Sequence, residues 1–504
     1  MVCGTTSDAG KSTVVAGICR LLLRAGVKVA PFKSQNMSLN SSVTPEGREI
    51  GRAQAMQAFA AGVEPEAAMN PVLLKPVGEQ SCQVVVLGAP TGNLDAADYR
   101  HRAPELLGVV LGALEDLRSR FDVVIAEGAG NPAEINLLDS DIANLRIAHD
   151  ARLPAVIVGD IERGGVFAAL HGTVELLPDR YRSLVHGFLV NKLFGDPALL
   201  GDGCAQLEAR CGVPTFGVLP FLDGVALDAE DSLALRRAGP RPDGDDRPRG
   251  DALDVAVVRF PRLANATDFD ALAIEPGVTV RFVASCGELG APDLIVLPGT
   301  KATVADLAWL RGRGLDDAIG RSGAVVLGIC GGYQAMGCSI LDPYGVEAMP
   351  GTEVNGLGWL GVDTSFAVAK TTRLRRGEAM GVAVAGYEIH HGVVARRADA
   401  APWLTLDRVT GAEVGGSGEG TEEEGAVDAE GRFLGTTLHG LFEEDRFRSA
   451  FLVEVARRRR KAFVPAGVSF ARRREAQIDR VADALAAHVD LERLWELVER
   501  GARG

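Results

Sequence analysis

The sequence predicts an α/β protein with two parallel-sheet domains, and three observations carry that prediction. Short apolar runs alternate with helical patterns along most of the 504 residues, as parallel strands covered by helices require. A glycine-bounded loop ending in Gly-Lys-Ser directly follows the first apolar run. A second tight strand-to-helix turn, around Cys330, sits between small residues far down the chain. A chain of this length exceeds a single core.

The first domain is expected over residues 1–235. Its strands are read at Val27–Pro31, Val84–Leu87, Val123–Ala126, Ala155–Val158, Gly187–Val190 and Thr215–Leu219, with helical stretches such as Pro104–Arg118 between them. The strand before the glycine loop is a stub, Met1-Val2-Cys3, so it is expected either to be short or to begin upstream. Residues 236–251 are rich in Pro, Gly and charge, which marks a linker. A second alternating pattern, residues 252–460, has strands at Val255–Val258, Thr279–Val283, Leu294–Leu297, Ala324–Leu327 and Phe433–Leu438. The stretch Gly415–Glu424 reads as a mobile acidic loop. Residues 461–504 form a helical tail whose Ile478, Val481, Leu485, Val489, Leu491, Leu494 and Leu497 recur near helical spacing, as for packing on a core.

A net charge of −14 argues against non-specific nucleic-acid binding. The basic run Arg457–Lys461 is a solvated helix face, with a polyanion site as the alternative. The eight cysteines are scattered singly, with no C-x-x-C pair, which excludes a zinc quartet and fits a reduced, cytoplasmic setting. No apolar run is long enough to span a bilayer, so no membrane partner is expected.

The loop Gly4-Thr5-Thr6-Ser7-Asp8-Ala9-Gly10-Lys11-Ser12 runs from strand to helix, the context of a phosphate-binding loop. Its backbone N–H groups and the helix start would hold phosphate oxygens. Lys11 would reach the β/γ-phosphates of ATP, and the Ser12 hydroxyl would ligate Mg²⁺. Gly4, Thr5, Asp8, Gly10 and Thr13 complete the nucleotide-binding set. Glycine falls one place earlier than in the common form, a variant that resembles the loop of dethiobiotin synthetase and its relatives. Thr6 stands where ParA/MinD-type switches carry an extra lysine. Ligands in such sheets bind beyond the carboxyl ends of the strands, and three strand ends stand out. Glu127 can approach Mg²⁺ or cap the next helix. Asp160 and Arg163 precede the Gly164-Gly165 pair, where backbone can approach a ligand. Asn191 can pair with the edge of adenine or simply form a turn. Lys33 and Lys75 are further cations for phosphate, and Glu49 is a second candidate carboxylate for the metal.

At the second turn, Gly328-Ile329-Cys330-Gly331-Gly332 forms a nucleophile elbow. The helix that follows favours the thiolate. The Gly331 N–H can bind an oxyanion, with Gly299 in the Pro298–Lys301 loop as the second donor. The base is His439, at a predicted strand end, with His390 and His391 as competitors. The pair resembles class I glutamine amidotransferases. Those place Glu two residues after the histidine, whereas this chain has His439-Gly440-Leu441. That absence matches the corrinoid amide synthase branch, and a backbone carbonyl is expected to orient His439.

Taken in order, Gly4–Ser12, Ala30–Met37, Met69–Pro76, Glu127–Leu137, Asp160–Phe167, Phe260–Arg262, Thr267–Asp270, Pro298–Lys301, Gly328–Gln334, Gly386–His390 and Leu438–Phe442 resemble the cobyric acid synthase family over nearly the whole chain. Ser34 and Asn355 are minor departures. The resemblance implies an N-terminal P-loop domain of dethiobiotin-synthetase type and a C-terminal class I glutamine amidotransferase-like domain. It implies ATP- and Mg²⁺-dependent amidation of the b, d, e and g carboxylates of a corrinoid, adenosylcobyrinic acid a,c-diamide, with glutamine as nitrogen donor. Glu134, Asp160 and Arg163 are then candidates for holding the corrin. Two rival readings are a cobyrinic acid a,c-diamide synthase and a nucleotide-dependent switch with a degenerate amidotransferase domain. The stretch Phe32–Met37 favours the cobyric type over the first; intact Cys330 and His439, with Thr6, oppose the second.

Overall fold

The computed structural model describes residues 1–78, 81–225, 227, 250–409 and 417–502. The chain divides into two compact units: Met1–Ser38, Ile50–Glu230 and Arg474–Gly504 form one, Leu39–Glu49 and Asp231–Arg473 the other. The sequence suggests contiguous blocks. Instead, residues 39–49 belong with the second unit and residues 474–504 with the first. Most of the expected linker, 236–249, lies outside the described residues.

The first unit is organised on six strands: β1 (Val2–Gly4), β2 (Val29–Phe32), β3 (Val123–Ala126), β4 (Ala155–Asp160), β5 (Val185–Leu193) and β6 (Thr215–Pro220). β1 pairs in parallel with β4, β4 with β5, β5 with β6, and β2 with β3. A parallel bridge between Val2 and Glu127 joins the two groups. The sheet order is therefore β2-β3-β1-β4-β5-β6, and the order reverses beside β1, where the glycine loop emerges. Ligand sites in open α/β sheets form at such reversals.

One expected strand of this sheet lies elsewhere. Val84–Val86 belongs to the strand Ser81–Val86, which pairs antiparallel with Val72–Pro76 on one side and Ala89–Asp95 on the other. The reason is local. Leu87 and Gly88, both at positive φ (45° and 75°), make a two-residue hairpin turn that returns the chain at once, and a parallel crossover needs a dozen or more residues.

The tail completes the first unit's core. Val481, Leu485, Val489, Leu494 and Leu497 pack with Val14, Val15, Ile18 and Leu22 of helix α1 (Lys11–Arg24). The backbones come close at Gly17, where an added Cβ would lie 2.4 Å from Leu485 Cδ1.

The second unit contains β7 (Leu253–Val258), β8 (Val278–Val283), β9 (Leu294–Leu297), β10 (Val325–Ile329), β11 (Val362–Ala379), β12 (Val382–Arg396), β13 (Leu404–Val409), β14 (Ser417–Glu424), β15 (Ala426–Val427) and β16 (Phe433–Thr436). Its central sheet runs β8-β7-β9-β10-β16-β15, parallel except for β15. β11 and β12 form a long antiparallel pair extended by β13 and β14. The predicted acidic loop is thus a strand over 417–424, and residues 415–416 lie outside the described ones. Three of its carboxylates have partners on other strands. Glu422 pairs with Arg375, Glu423 with Arg396, and Glu424 accepts from Thr436 and Thr437. The basic run is likewise partnered: Arg457 and Arg458 bind Glu454, while Arg459 and Lys461 bind Asp293.

Candidate active sites

In the first unit the glycine loop leaves β1 and enters α1 through Gly10 at φ 97°. A side chain is excluded there on two grounds: the left-handed backbone, and an added Cβ 2.1 Å from Asn191 Nδ2. Lys11 is buried, its Nζ donating to the carbonyls of Thr6 (2.9 Å) and Gly130 (3.4 Å). The ammonium is thus curled into the loop, the geometry for placing a fixed charge beside bound phosphates.

Glu127 is fully buried behind the loop. Its Oε1 accepts from Ser12 Oγ and Lys33 Nζ, both at 2.8 Å, and its Oε2 from Gln57 Nε2 at 2.6 Å. Burial alone would raise its pKa; the Lys33 charge and these hydrogen bonds outweigh it and hold the group ionised. Ser12 and Glu127 bring two oxygens together, a donor set that suits Mg²⁺, which takes few protein ligands beside water and phosphate. Among the described residues no larger cluster of candidate metal ligands occurs. Glu49, the second carboxylate considered, is buried and bonded to Lys370.

Asn191 donates its Nδ2 to the Ala9 carbonyl at 2.9 Å, so it braces the loop. The neighbouring Lys192, at φ 65°, donates to the Asp8 carbonyl (2.6 Å) and to Asp160 Oδ2 (2.9 Å). Arg163 lies 3.5 Å from both Asp8 and Asp160. Asp160 and Arg163 are therefore tied to the loop, while Glu134 is exposed. Lys192 escaped the sequence reading because nothing distinguishes a brace from an ordinary surface lysine until the loop is folded beside it. Thr5 is buried and its carbonyl accepts from Asn131 Nδ2 at 2.9 Å. Gly4 abuts the Lys11 stem, where an added Cβ would lie 3.0 Å from Lys11 Cδ.

In the second unit Cys330 follows β10 and starts the short helix α2 (Gly331–Met336) at φ 51°, ψ −110°. A non-glycine residue there is strained, as a nucleophile elbow requires. The flanking glycines are fixed by packing. A Cβ on Gly332 would lie 1.9 Å from the Leu297 carbonyl oxygen, and one on Gly328 would lie 2.6 Å from Met336 Sδ. The thiol is buried and hydrogen-bonded with His439. Burial pushes the Cys330 pKa up, but the His439 charge and hydrogen bond outweigh it and bring it below the ordinary thiol value. The Gly331 N–H also points to the sulfur. Gly299 packs on the same imidazole, its Cβ position 2.8 Å from His439 Cε1.

The partner that orients His439 is a side chain, not the backbone carbonyl expected. His439 Nδ1 lies 2.7 Å from Asp268 Oδ2, and Asp268 Oδ1 accepts from the Gly440 N–H at 2.9 Å. Both residues are buried. Tyr387 stacks on the imidazole at 5.5 Å and 22°, and its backbone pairs with that of His439. Burial lowers the His439 pKa, but Asp268 and Cys330 outweigh it and raise it to about 10. The arrangement sets a thiol, an imidazole and a carboxylate in sequence, with shifts that favour charge on the first two, the order of roles in a nucleophile–base–acid triad. Asp268 is 171 positions from His439, so no local spacing announces it. Glu347 was also missed. Its Oε2 accepts from the Thr303 N–H at 2.6 Å, and burial pushes its pKa up to about 8. Of the competing histidines, His391 bonds the Ala367 carbonyl and is pushed down to about 4 by burial.

Asp268→Asn is expected to lower glutaminase turnover by about 10⁴-fold, the loss when the acid behind a catalytic histidine becomes an amide. Release of glutamate from glutamine measures it. The raised His439 pKa also predicts a pH dependence. Its stabilising contribution is complete below the ordinary histidine value and is lost as pH rises through about 10. Asp268→Asn should shrink that alkaline loss in the unfolding profile and leave the part that Cys330 supplies.

The family model described as the CobQ/CobB/MinD/ParA nucleotide binding domain matches residues 1–234. The CobB/CobQ-like glutamine amidotransferase domain matches residues 254–447. The chain is 53% identical to a cobyric acid synthase of Streptomyces coelicolor, over 100% of this chain and 96% of the relative. It is 52% identical to that of Streptomyces avermitilis, with the same coverage. Identity to that of Mycolicibacterium smegmatis is 49%, again over 100% and 96%. Two domain matches in the expected order, joined by half-identity from end to end, leave one conclusion: the chain belongs to the cobyric acid synthase family.

Proposed function

We propose that the protein amidates the b, d, e and g carboxylates of adenosylcobyrinic acid a,c-diamide, using ATP and glutamine, to give adenosylcobyric acid in cobalamin biosynthesis. The observation that carries the reading is the presence in one chain of a phosphate-binding loop around Lys11 and a buried Cys330–His439–Asp268 constellation. A carboxylate is a poor electrophile, and an amine must be unprotonated to attack it. The two sites answer these two problems.

In the second unit the Cys330 thiolate attacks the amide carbon of glutamine. The Gly331 N–H, and we infer that of Gly299, receive the charge that develops on the carbonyl oxygen. His439 gives its proton to the departing nitrogen, so ammonia leaves and a thioester remains. Water, deprotonated by His439, then releases glutamate and restores the thiol.

In the first unit Gly4, Thr5, Asp8, Gly10, Lys11, Ser12 and Thr13 would hold the triphosphate, and Ser12 with Glu127 would hold Mg²⁺. ATP supplies a phosphoryl group that converts the corrinoid acid into an acyl phosphate, and Mg²⁺ supplies charge neutralisation. The chain's own task is positioning. Lys11 and Lys33 provide fixed positive charge, and the bonds from Asn191, Lys192 and Asp160 keep the loop in shape. Asp160 and Arg163 beside the loop, and the exposed Glu134, are candidates for the corrin side chains. All eight cysteines are free, which supports a reduced cytoplasmic setting. No helix among the described residues is long and apolar enough to cross a membrane.

Mass spectrometry of the corrinoid tests the proposal. With ATP, Mg²⁺ and glutamine, four successive amide additions to the a,c-diamide are expected. Amidation of cobyrinic acid at a and c instead would overturn it in favour of the diamide synthase.

A further inference from the structure

Residues 39–49 come early in the chain, inside the span matched by the nucleotide-binding model, yet they fold within the second unit. There they meet the turn that carries Asp268. The Asn265 N–H donates to the Leu39 carbonyl at 3.4 Å, the Ser41 N–H to Asn265 Oδ1 at 2.9 Å, and the Ala266 N–H to Asn40 Oδ1 at 3.1 Å. Asn40, Ser41, Asn265 and Asp268 are all buried, so water cannot stand in for a partner that is removed.

The turn depends on this outside support. Ala266–Phe269 is a single 3₁₀ turn, and the first N–H groups of a helix have no acceptor within it. Asn265, which precedes it, lies in the left-handed region at φ 54°, ψ 46° and does not cap it with its side chain. Asparagine is one of the few residues that hold this backbone. Its Oδ1 is turned to Ser41 instead, and Asn40 supplies the acceptor that Ala266 requires. The Asp268 N–H then closes on the Asn265 carbonyl at 3.0 Å. That sets the Asp268 carboxylate against both His439 Nδ1 and the Gly440 N–H. Just before the turn, the Ala264 N–H donates to the Gly299 carbonyl at 2.9 Å.

The rest of the segment is fastened beside the same groups. The Thr44 N–H donates to the Arg48 carbonyl at 2.8 Å, which folds the segment back on itself. Val43 packs with Tyr387 and Ile389 of β12. Tyr387 stacks on His439, and the Ile389 carbonyl accepts from the Cys330 thiol at 3.8 Å. Glu49 pairs with Lys370 of β11, with both side chains out of solvent.

We propose that Asn40 is a positioning residue for glutamine hydrolysis: it holds, through Ala266, the turn that aims Asp268 at His439. The glutaminase unit is then completed by a segment from the other end of the sequence. Without it the elbow and the histidine remain, but the acid behind them loses its frame. The proposal rests on Asp268 orienting His439 in the reaction proposed above.

A double-mutant cycle in the full chain tests it, with glutamate release from glutamine as the readout. Asn40→Ala leaves the Ala266 N–H without its acceptor. It is expected to lower glutaminase kcat by about 10²-fold, the loss when an oriented group is displaced by about 1 Å, and to leave KM for glutamine unchanged. In an Asp268→Asn background the same substitution should cost less than about twofold, because the group it positions is already disabled. A merely structural role would lower both backgrounds alike. Equal losses, or an unchanged kcat in the parent background, would overturn the proposal. If circular dichroism shows Asn40→Ala unfolded, Asn265→Gly serves. Glycine keeps the left-handed backbone and removes the acceptor for the Ser41 N–H. The same dependence on Asp268 is expected, and its absence would sink the proposal. Failure of the underlying triad reads differently: Asp268→Asn alone would then turn over at the parent rate.

Discussion

Cys330→Ala abolishes amidation driven by glutamine and leaves amidation driven by an ammonium salt: that is the expected outcome, with a loss of at least about 10³-fold in the first assay. The thiolate forms the only covalent bond to glutamine in the proposed cycle, and a methyl group cannot replace it. Removing the sulfur does not touch the first unit's loop, so supplied ammonia should still reach an activated carboxylate. The substitution is small and falls at a strained φ of 51°. Alanine lowers bulk without relieving that strain, so the fold should persist. Glutamine-driven turnover near the parent rate would remove Cys330 from its role. Loss of both activities, with a native circular dichroism spectrum, would mean that the thiol serves something other than nitrogen release.

Lys11→Ala is the complementary case, and here both nitrogen sources should fail. The ammonium is buried and held by two backbone carbonyls of the loop and its surroundings. A cation fixed beforehand costs no reorganisation when negative charge spreads over the transferring phosphoryl oxygens. Losing it should cost at least about 10²–10³-fold, the range for one preorganised charge-stabilising donor. Thermal stabilisation by ATP should shrink as well, because the ligand contributes to stability only through the state it binds. Glutamate release at the second site should continue. Normal amidation by this variant would refute the phosphate-loop assignment.

The loop of one candidate site and the elbow of the other could be read from the sequence because each is written in consecutive residues. A loop of nine residues and an elbow of five carry their backbone requirements in their glycines. Asp268 was not legible, because its partner His439 lies 171 positions away and a carboxylate in a short turn has no distinguishing neighbours. The strand pattern held for the parallel sheets, where buried runs are continuous. It failed at Ser81–Val86, where a tight turn rather than composition decides the sheet. It failed again at Ser417–Glu424, whose glycines and acids look disordered until their arginine and threonine partners arrive from other strands. Division into units also escaped a linear reading. The repeating apolar positions of the tail announced packing, but not which core would receive them.

The tail has one more implication. Because Val481, Leu485 and Val489 close the apolar layer over α1, the core of the nucleotide-binding half stays open during synthesis until the whole second unit and the helix after it have been translated. A gene product stopping after residue 235 would emerge with an oily flank where Val481, Leu485 and Val489 belong. The half made first at the ribosome would be the one to mature last.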